Sequence, residues 1–179
     1  GDTVKHLDFI QYQIEQANPD LIVMTGDQFM LANTNIVNAL FERLNRVCDS
    51  LSNKNEHITK FAMTYGNHDL EGDYHMYYIN NVIKKFVTAD GKEKEHKKYA
   101  AFIDFDDDDL FGFTNYHIDL VDPTNREDVK YRLTILDSNA NHYSGFTYGF
   151  GYVVTSDQYT LLKVNLNDDI LIFDGVDAL

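Results

Sequence analysis

From Val4 to Ala17 the apolar residues Leu7, Ile10, Ile14 and Ala17 recur at three- and four-residue steps, which predicts an amphipathic helix. Asn18–Pro19–Asp20 ends it, because a proline ring disfavours the helical conformation of the residue before it. Leu21 to Thr25 is a short apolar run, the pattern of a strand buried on both faces, and Gly26–Asp27–Gln28 breaks it. A second helix is predicted from about Asn35 to Leu51, with Ile36, Leu40, Leu44, Val47 and Leu51 on one stripe. After the polar loop Asn53–Lys54–Asn55–Glu56, Thr59 to Tyr65 reads as a second strand that stops at Gly66. Strand, long crossover helix and strand make a βαβ unit, so the two strands are expected to run parallel. Ligands of such sheets gather at the carboxyl ends of the strands. Both Gly26–Asp27 and Gly66–Asn67 fall there, and if the strands are neighbours the two loops open into one crevice.

The second half changes character. A helix is predicted from Tyr74 to Phe86, with Tyr78, Val82 and Phe86 spaced by four. Lys92 to Lys98 is a mixed charge run, Tyr99 to Phe105 a candidate strand, and Asp106 to Asp109 an acidic turn. Phe113 to Val121 alternates, Tyr116, Ile118 and Leu120 against His117 and Asp119. Asp122–Pro123–Thr124–Asn125 is a turn and Tyr131 to Leu136 the return strand of an antiparallel hairpin. Ser156 can cap a short helix from Asp157 to about Leu166, and Ile170 to Phe173 is a last apolar run. No repeat or linker interrupts the chain, so residues 1–179 are expected to form one α/β domain with antiparallel additions.

Composition narrows the function. With 44% hydrophobic and 25% charged residues the chain is globular, and no apolar run approaches the length of a membrane span. The first residues lack the pattern of a signal peptide, and the single Cys48 fits a reducing, cytoplasmic compartment. A net charge of −14 repels a phosphate backbone, so general nucleic-acid binding is not expected. A small phosphorylated substrate is still compatible, because bound cations reverse the field locally.

The strongest chemical signal is Gly66–Asn67–His68–Asp69 directly after a predicted strand. A fixed tetrapeptide occurs by chance about once in 10⁵ positions. Its partner is Thr25–Gly26–Asp27, also after a strand. The two blocks resemble the second and third motifs of the calcineurin-like metallophosphoesterase superfamily. Gly112–Phe113–Thr114–Asn115–Tyr116, Leu136–Asp137–Ser138, Gly151–Tyr152 and Asp157–Gln158 look like the branch related to purple acid phosphatases and their bacterial relatives. The resemblance implies a four-layer αββα sandwich, incomplete in this chain, and two divalent or trivalent metal ions drawn from Mn, Fe, Zn or Mg. It further implies hydrolysis of a phosphomonoester or phosphodiester, on a small molecule or a protein, by direct attack of metal-bound hydroxide.

The residue types suit that chemistry. Two cations about 3.5–4 Å apart need an anionic bridge, and Asp27 matches the carboxylate that supplies it. Asn67 matches the amide oxygen that completes a metal's shell without adding charge. His68 matches the histidine beside the scissile phosphate, where a group titrating near neutrality can protonate the leaving oxygen. Asp69 matches the carboxylate that orients that ring. The bland alternatives are a turn aspartate capping the next helix for Asp27 and a simple turn residue for Asp69. His142 reads as a surface histidine; Asp104 to Asp109 lacks the glycine and terminal glutamate of a calcium loop. Tyr77, Tyr78 and Phe86 read as core or rim, and Cys48 as a small buried residue on the helix stripe.

The family also carries an Asp-x-His block on its first strand and ends with an isolated metal-binding His and a Gly-His-x-His block. None of these is present; His6–Leu7–Asp8 is reversed, Asp73–Tyr74–His75 lies where the family has no ligand, and Asp174–Gly175 follows the last apolar run. The chain is therefore expected to be a fragment cut at both ends and inactive alone. An unpartnered edge at Ile170 to Phe173 would then favour a homodimer or a weakly ordered C-terminus. Two rival readings are a non-catalytic protein-interaction scaffold on the same fold, as in the phosphoesterase-like retromer subunit, and a plain α/β interaction domain.

Overall fold

The structure is a computed structural model that describes residues 2–29, 33–55, 57–66, 68–70, 76–89, 97–102, 114–137, 143–144, 147–148 and 170–174. It is a mixed α/β chain with two compact units. The first comprises residues 1–24, 29–62 and 71–104; the second comprises 25–28, 63–70 and 105–179.

In the first unit, helix α1 spans Asp2–Ala17 and packs on helix α2, Thr34–Lys54. Arg43 of α2 reaches Asp8 Oδ1 and Gln11 Oε1 of α1, each at 2.7 Å. Helix α1 stops at Asn18, whose φ of 46° is left-handed and whose N–H donates to Ile14 O at 2.9 Å. Asparagine tolerates that conformation better than most residues, and Pro19 then forbids continuation. Helix α2 begins at Asn33, whose side-chain oxygen accepts from the N–H groups of Asn35 and Ile36. Its buried residues are Val37, Leu40, Phe41, Leu44, Val47, Cys48 and Leu51. The stripe is thus wider than the sequence spacing suggested and centres closer to Phe41 than to Ile36.

Strands β1 (Leu21–Met24) and β2 (Lys60–Met63) are neighbours. Lys60 N–H donates to Asp20 O, which sets the beginnings of the two strands side by side, the arrangement of a parallel pair. All four residues of β1 are only half-buried, a correction to the expectation of burial on both faces. Among the described residues β1 has a single neighbouring strand, so its other edge is uncovered by a ladder. Phe61 of β2 forms a parallel bridge with Ala100, the described remnant of the strand predicted from Tyr99. Helix α3 spans Met76–Val87 and packs on α2. Phe41 meets Phe61 edge-on at 5.7 Å and stacks on Phe86 at 5.6 Å, and Phe61 meets Phe102 edge-on. Phe41, Phe61 and Phe102 are buried in this unit's core and half-buried Phe86 packs against Phe41, which settles Phe86 as a packing residue; Tyr78 faces out at 56% exposure.

In the second unit, β3 (Tyr116–Val121) and β4 (Val129–Leu136) form the antiparallel hairpin that alternation predicted, from Tyr116↔Ile135 to Leu120↔Tyr131. The register slips between Leu120 and Val121, so Val121 faces Val129. Strand β4 is central, flanked on its other side by β7, Ile170–Asp174, which runs parallel to it with Leu136 opposite Asp174. The last apolar run therefore has a strand partner on one edge. Burial of the consecutive residues Leu133, Thr134, Ile135 and Leu136 fits that central place. Tyr143–Ser144 and Thr147–Tyr148 form a short hairpin, β5–β6. The helix predicted over residues 157–166, the acidic turn, His75 and His142 lie outside the described residues.

Candidate functional site

Two loops meet in the second unit, one following β1 and one following β2. The first turns through two successive left-handed residues, Gly26 at φ 112° and Asp27 at φ 54°. An aspartate in that region costs more than a glycine, so the position of its carboxylate is held by something else. The holder is the second loop. His68 N–H donates to Asp27 Oδ1 at 2.9 Å. Gly66 lies so close that a Cβ on it would stand 2.2 Å from Asp27 Oδ1 and 2.4 Å from Asp27 N. The glycine is required there because the neighbouring loop fills the space its side chain would take.

Gln28 adds a second tie, its Nε2 donating to Thr64 O at 3.2 Å. That bond fixes the sense of the amide, and Gln28 Oε1 is then buried with no hydrogen-bond partner among the described residues. Within the second loop, Gly66 N–H donates to Asp69 Oδ2 at 2.8 Å, and His68–Leu70 form one 3₁₀ turn. Asp69 is 2% exposed, and Asp137 at the end of β4 is equally buried. Burial pushes the Tyr65 phenol well above its ordinary pKa, and the negative charges of Asp69 and Asp137 push it further. Burial likewise raises Tyr116, so both phenols stay protonated, and the Tyr116 hydroxyl donates to Met63 O.

Three of the four residues singled out from the sequence are therefore described, and they come together: Asp27, His68 and Asp69 belong to one pair of touching loops. Asn67 lies outside the described residues. Asp69 accepts from the backbone of its own loop through Oδ2, a role its spacing did not disclose. The helix-capping alternative for Asp27 is excluded, since Asn33 holds that place on α2. Gln28, Thr114, Asn115 and Tyr116 also hold this region and were not identified as site residues. They act through hydrogen bonds to partners far along the chain, for which sequence spacing carries no signal.

Metal chemistry can be tested on the donors. A carboxylate oxygen such as Asp27's is a hard ligand of the kind Mg, Mn, Fe or Zn accept. Among the described residues no three His, Cys, Asp or Glu gather to hold an ion, so Asp27 fits one ligand position without completing a centre.

No curated protein and no solved structure shows significant similarity to the chain. The calcineurin-like phosphoesterase family model matches residues 1–175, nearly the whole chain and both loops. The chain belongs to the calcineurin-like phosphoesterase family, whose members hydrolyse phosphoric esters and generally use divalent metal ions.

Proposed function

We propose that the protein is a metal-dependent phosphoesterase acting on a phosphomonoester or phosphodiester, with its reaction centre at the Asp27 and His68 loops. The observation that carries this reading is the hydrogen bond from His68 N–H to Asp27 Oδ1, because it joins the two family blocks directly. Asp27 and Asn67 would hold the metal side of the site, in a dinuclear centre whose other ligands the described residues do not supply. Such a pair of cations, when bound, neutralises the charge developing on the phosphoryl oxygens.

The chain's own residues have separate tasks. His68 protonates the leaving oxygen from its ring, while its backbone N–H fixes the Asp27 carboxylate. The Gly66 and Gly26 backbones keep side chains away from the phosphoryl group. Asp69 sets the loop's turn by accepting Gly66 N–H and in that way fixes where His68 starts. Among the described residues Asp27 is a single candidate ligand, so turnover requires metal ligands beyond it.

The test is hydrolysis of p-nitrophenyl phosphate and its bis-ester by the full-length protein, with and without Mn²⁺. Mn²⁺-dependent release of nitrophenol that His68→Ala reduces by about 10²–10⁴ supports the reading, the range expected for a lost general acid. Full-length protein that binds partners but hydrolyses neither ester would favour the scaffold alternative.

A further inference from the structure

Met63, Thr64 and Tyr65 carry β2 into the Gly66 turn, and side chains from one later tripeptide hold them. Met63 N–H donates to the Tyr116 hydroxyl at 2.9 Å, and that hydroxyl donates back to Met63 O. Tyr65 N–H donates to Thr114 Oγ1 at 3.3 Å. Thr64 Oγ1 donates to Leu136 O at 3.1 Å and lies 3.0 Å from Thr114 Oγ1. A hydroxyl has one hydrogen, so with Thr64's committed to Leu136 the Thr114 hydroxyl is the donor between the two threonines. A relay results, from Tyr65 N–H through Thr114 and Thr64 to the carbonyl at the end of β4. Both threonines are fully buried, where such bonds polarise and strengthen one another. Between them Asn115 Oδ1 accepts Asp137 N–H at 3.1 Å, so the same tripeptide also fixes the end of β4.

A buried backbone amide needs a partner, and a ladder partner would extend the strand rather than let it turn. Side-chain oxygens satisfy these amides and leave the chain free to bend at Gly66. We infer that Thr114 and Tyr116 are positioning residues for His68: they fix the backbone from which Gly66 and His68 abut Asp27. The inference rests on the Asp27–His68 loops being the reaction centre, and it assigns a task to residues outside the two family blocks.

Amide hydrogen exchange by NMR on the chain tests it. Thr114→Val keeps the shape and removes both bonds of the hydroxyl, while Thr114→Ser keeps them. In Thr114→Val the Tyr65, Gly66 and His68 amides are expected to exchange about tenfold faster, toward the lower end of the effect of two lost buried hydrogen bonds. The Thr134 and Ile135 amides are expected to keep their rates, and Thr114→Ser to restore those of the loop. Should Thr114→Val fail to fold, Tyr116→Phe gives the same reading at Met63 and Tyr65. Unchanged loop amides, or equal acceleration in the loop and in β4, would overturn the inference. None of these rates depends on turnover, so failure here leaves the phosphoesterase reading intact. Lack of hydrolysis by the full-length protein would in turn leave the exchange pattern intact.

Discussion

Gly66 has no room for a side chain, and the atoms in the way belong to Asp27 of the facing loop. An added methyl would meet Asp27 Oδ1 and, more stiffly, the Asp27 backbone nitrogen at 2.4 Å. A side-chain oxygen can rotate away, but a backbone nitrogen moves only with its loop. Gly66→Ala is therefore expected to cost about 1–3 kcal/mol in urea denaturation. Asp27 behaves differently under substitution. Asparagine tolerates the left-handed φ of 54° and keeps an oxygen for His68 N–H, so Asp27→Asn should fold within about 0.5 kcal/mol of the parent. With Asp27 as the metal ligand proposed above, the same change should abolish Mn²⁺-dependent hydrolysis, because the anionic ligand is gone. Asp27→Ala removes the acceptor of the part-buried His68 N–H and places alanine at a left-handed φ, so it should destabilise by about 1–3 kcal/mol. Equal stability of Asp27→Ala and Asp27→Asn would show that the His68 contact contributes nothing. The two blocks were legible in the sequence because glycine, aspartate and histidine in fixed order after a strand are rare. That one accepts a hydrogen bond from the other was not, since it depends on β1 and β2 being neighbours.

At the scale of elements, the described helices followed from periodicity and the end of α1 from Pro19, whereas the cap that starts α2 was not read from the sequence. Helix α2 starts where Asn33 accepts two backbone N–H groups at 3.1 Å. Asn33→Ala should lower stability by about 1 kcal/mol, read as a shift in the urea midpoint without change in slope. The hairpin β3–β4 was legible by alternation and by its Asp122–Pro123 turn; the parallel pairing of β7 on β4 was not, because it spans a long stretch with no local signature. Within the hairpin Arg132 donates to both oxygens of Asp119, from Nε at 2.6 Å and Nη2 at 2.8 Å. Those bonds hold the Asp119 carboxyl below its ordinary pKa against a smaller opposing effect of burial, with Arg132 and His117 charges assisting. A depressed folded value contributes stability that is present above the unfolded pKa of about 3.9 and lost as pH falls through the folded value. Stability of the parent should therefore fall more steeply than that of Asp119→Asn as pH is lowered below about 4. Parallel curves would mean that the ion pair is no stronger in the folded chain than in solvent.

For the whole molecule the decisive feature is how the chain threads its two units. It passes from one to the other between residues 24 and 25, 28 and 29, 62 and 63, 70 and 71, and 104 and 105. Strand β2 is itself divided, with Phe61 and Ala62 in the core of the first unit and Met63 in the second. Opening the first unit thus releases the strand that leads directly into the Thr64–Thr114 relay. A unit joined by one linker can unfold alone, whereas units interleaved this way are expected to lose structure together. Cys48 provides the reporter for the first. It is fully buried, and burial pushes its thiol up to about 12, so in the folded chain it should resist alkylation at pH 8. Hydrogen exchange over Val129 to Asp137 reports the second. The two urea midpoints are expected to coincide, and added salt should raise both by the same amount because it screens the self-repulsion of a chain carrying −14. Alkylation of Cys48 at a urea concentration that leaves the β4 amides protected would show that the interleaved connections do not couple the units, and that the Asp27–His68 loops can persist after the first unit has opened.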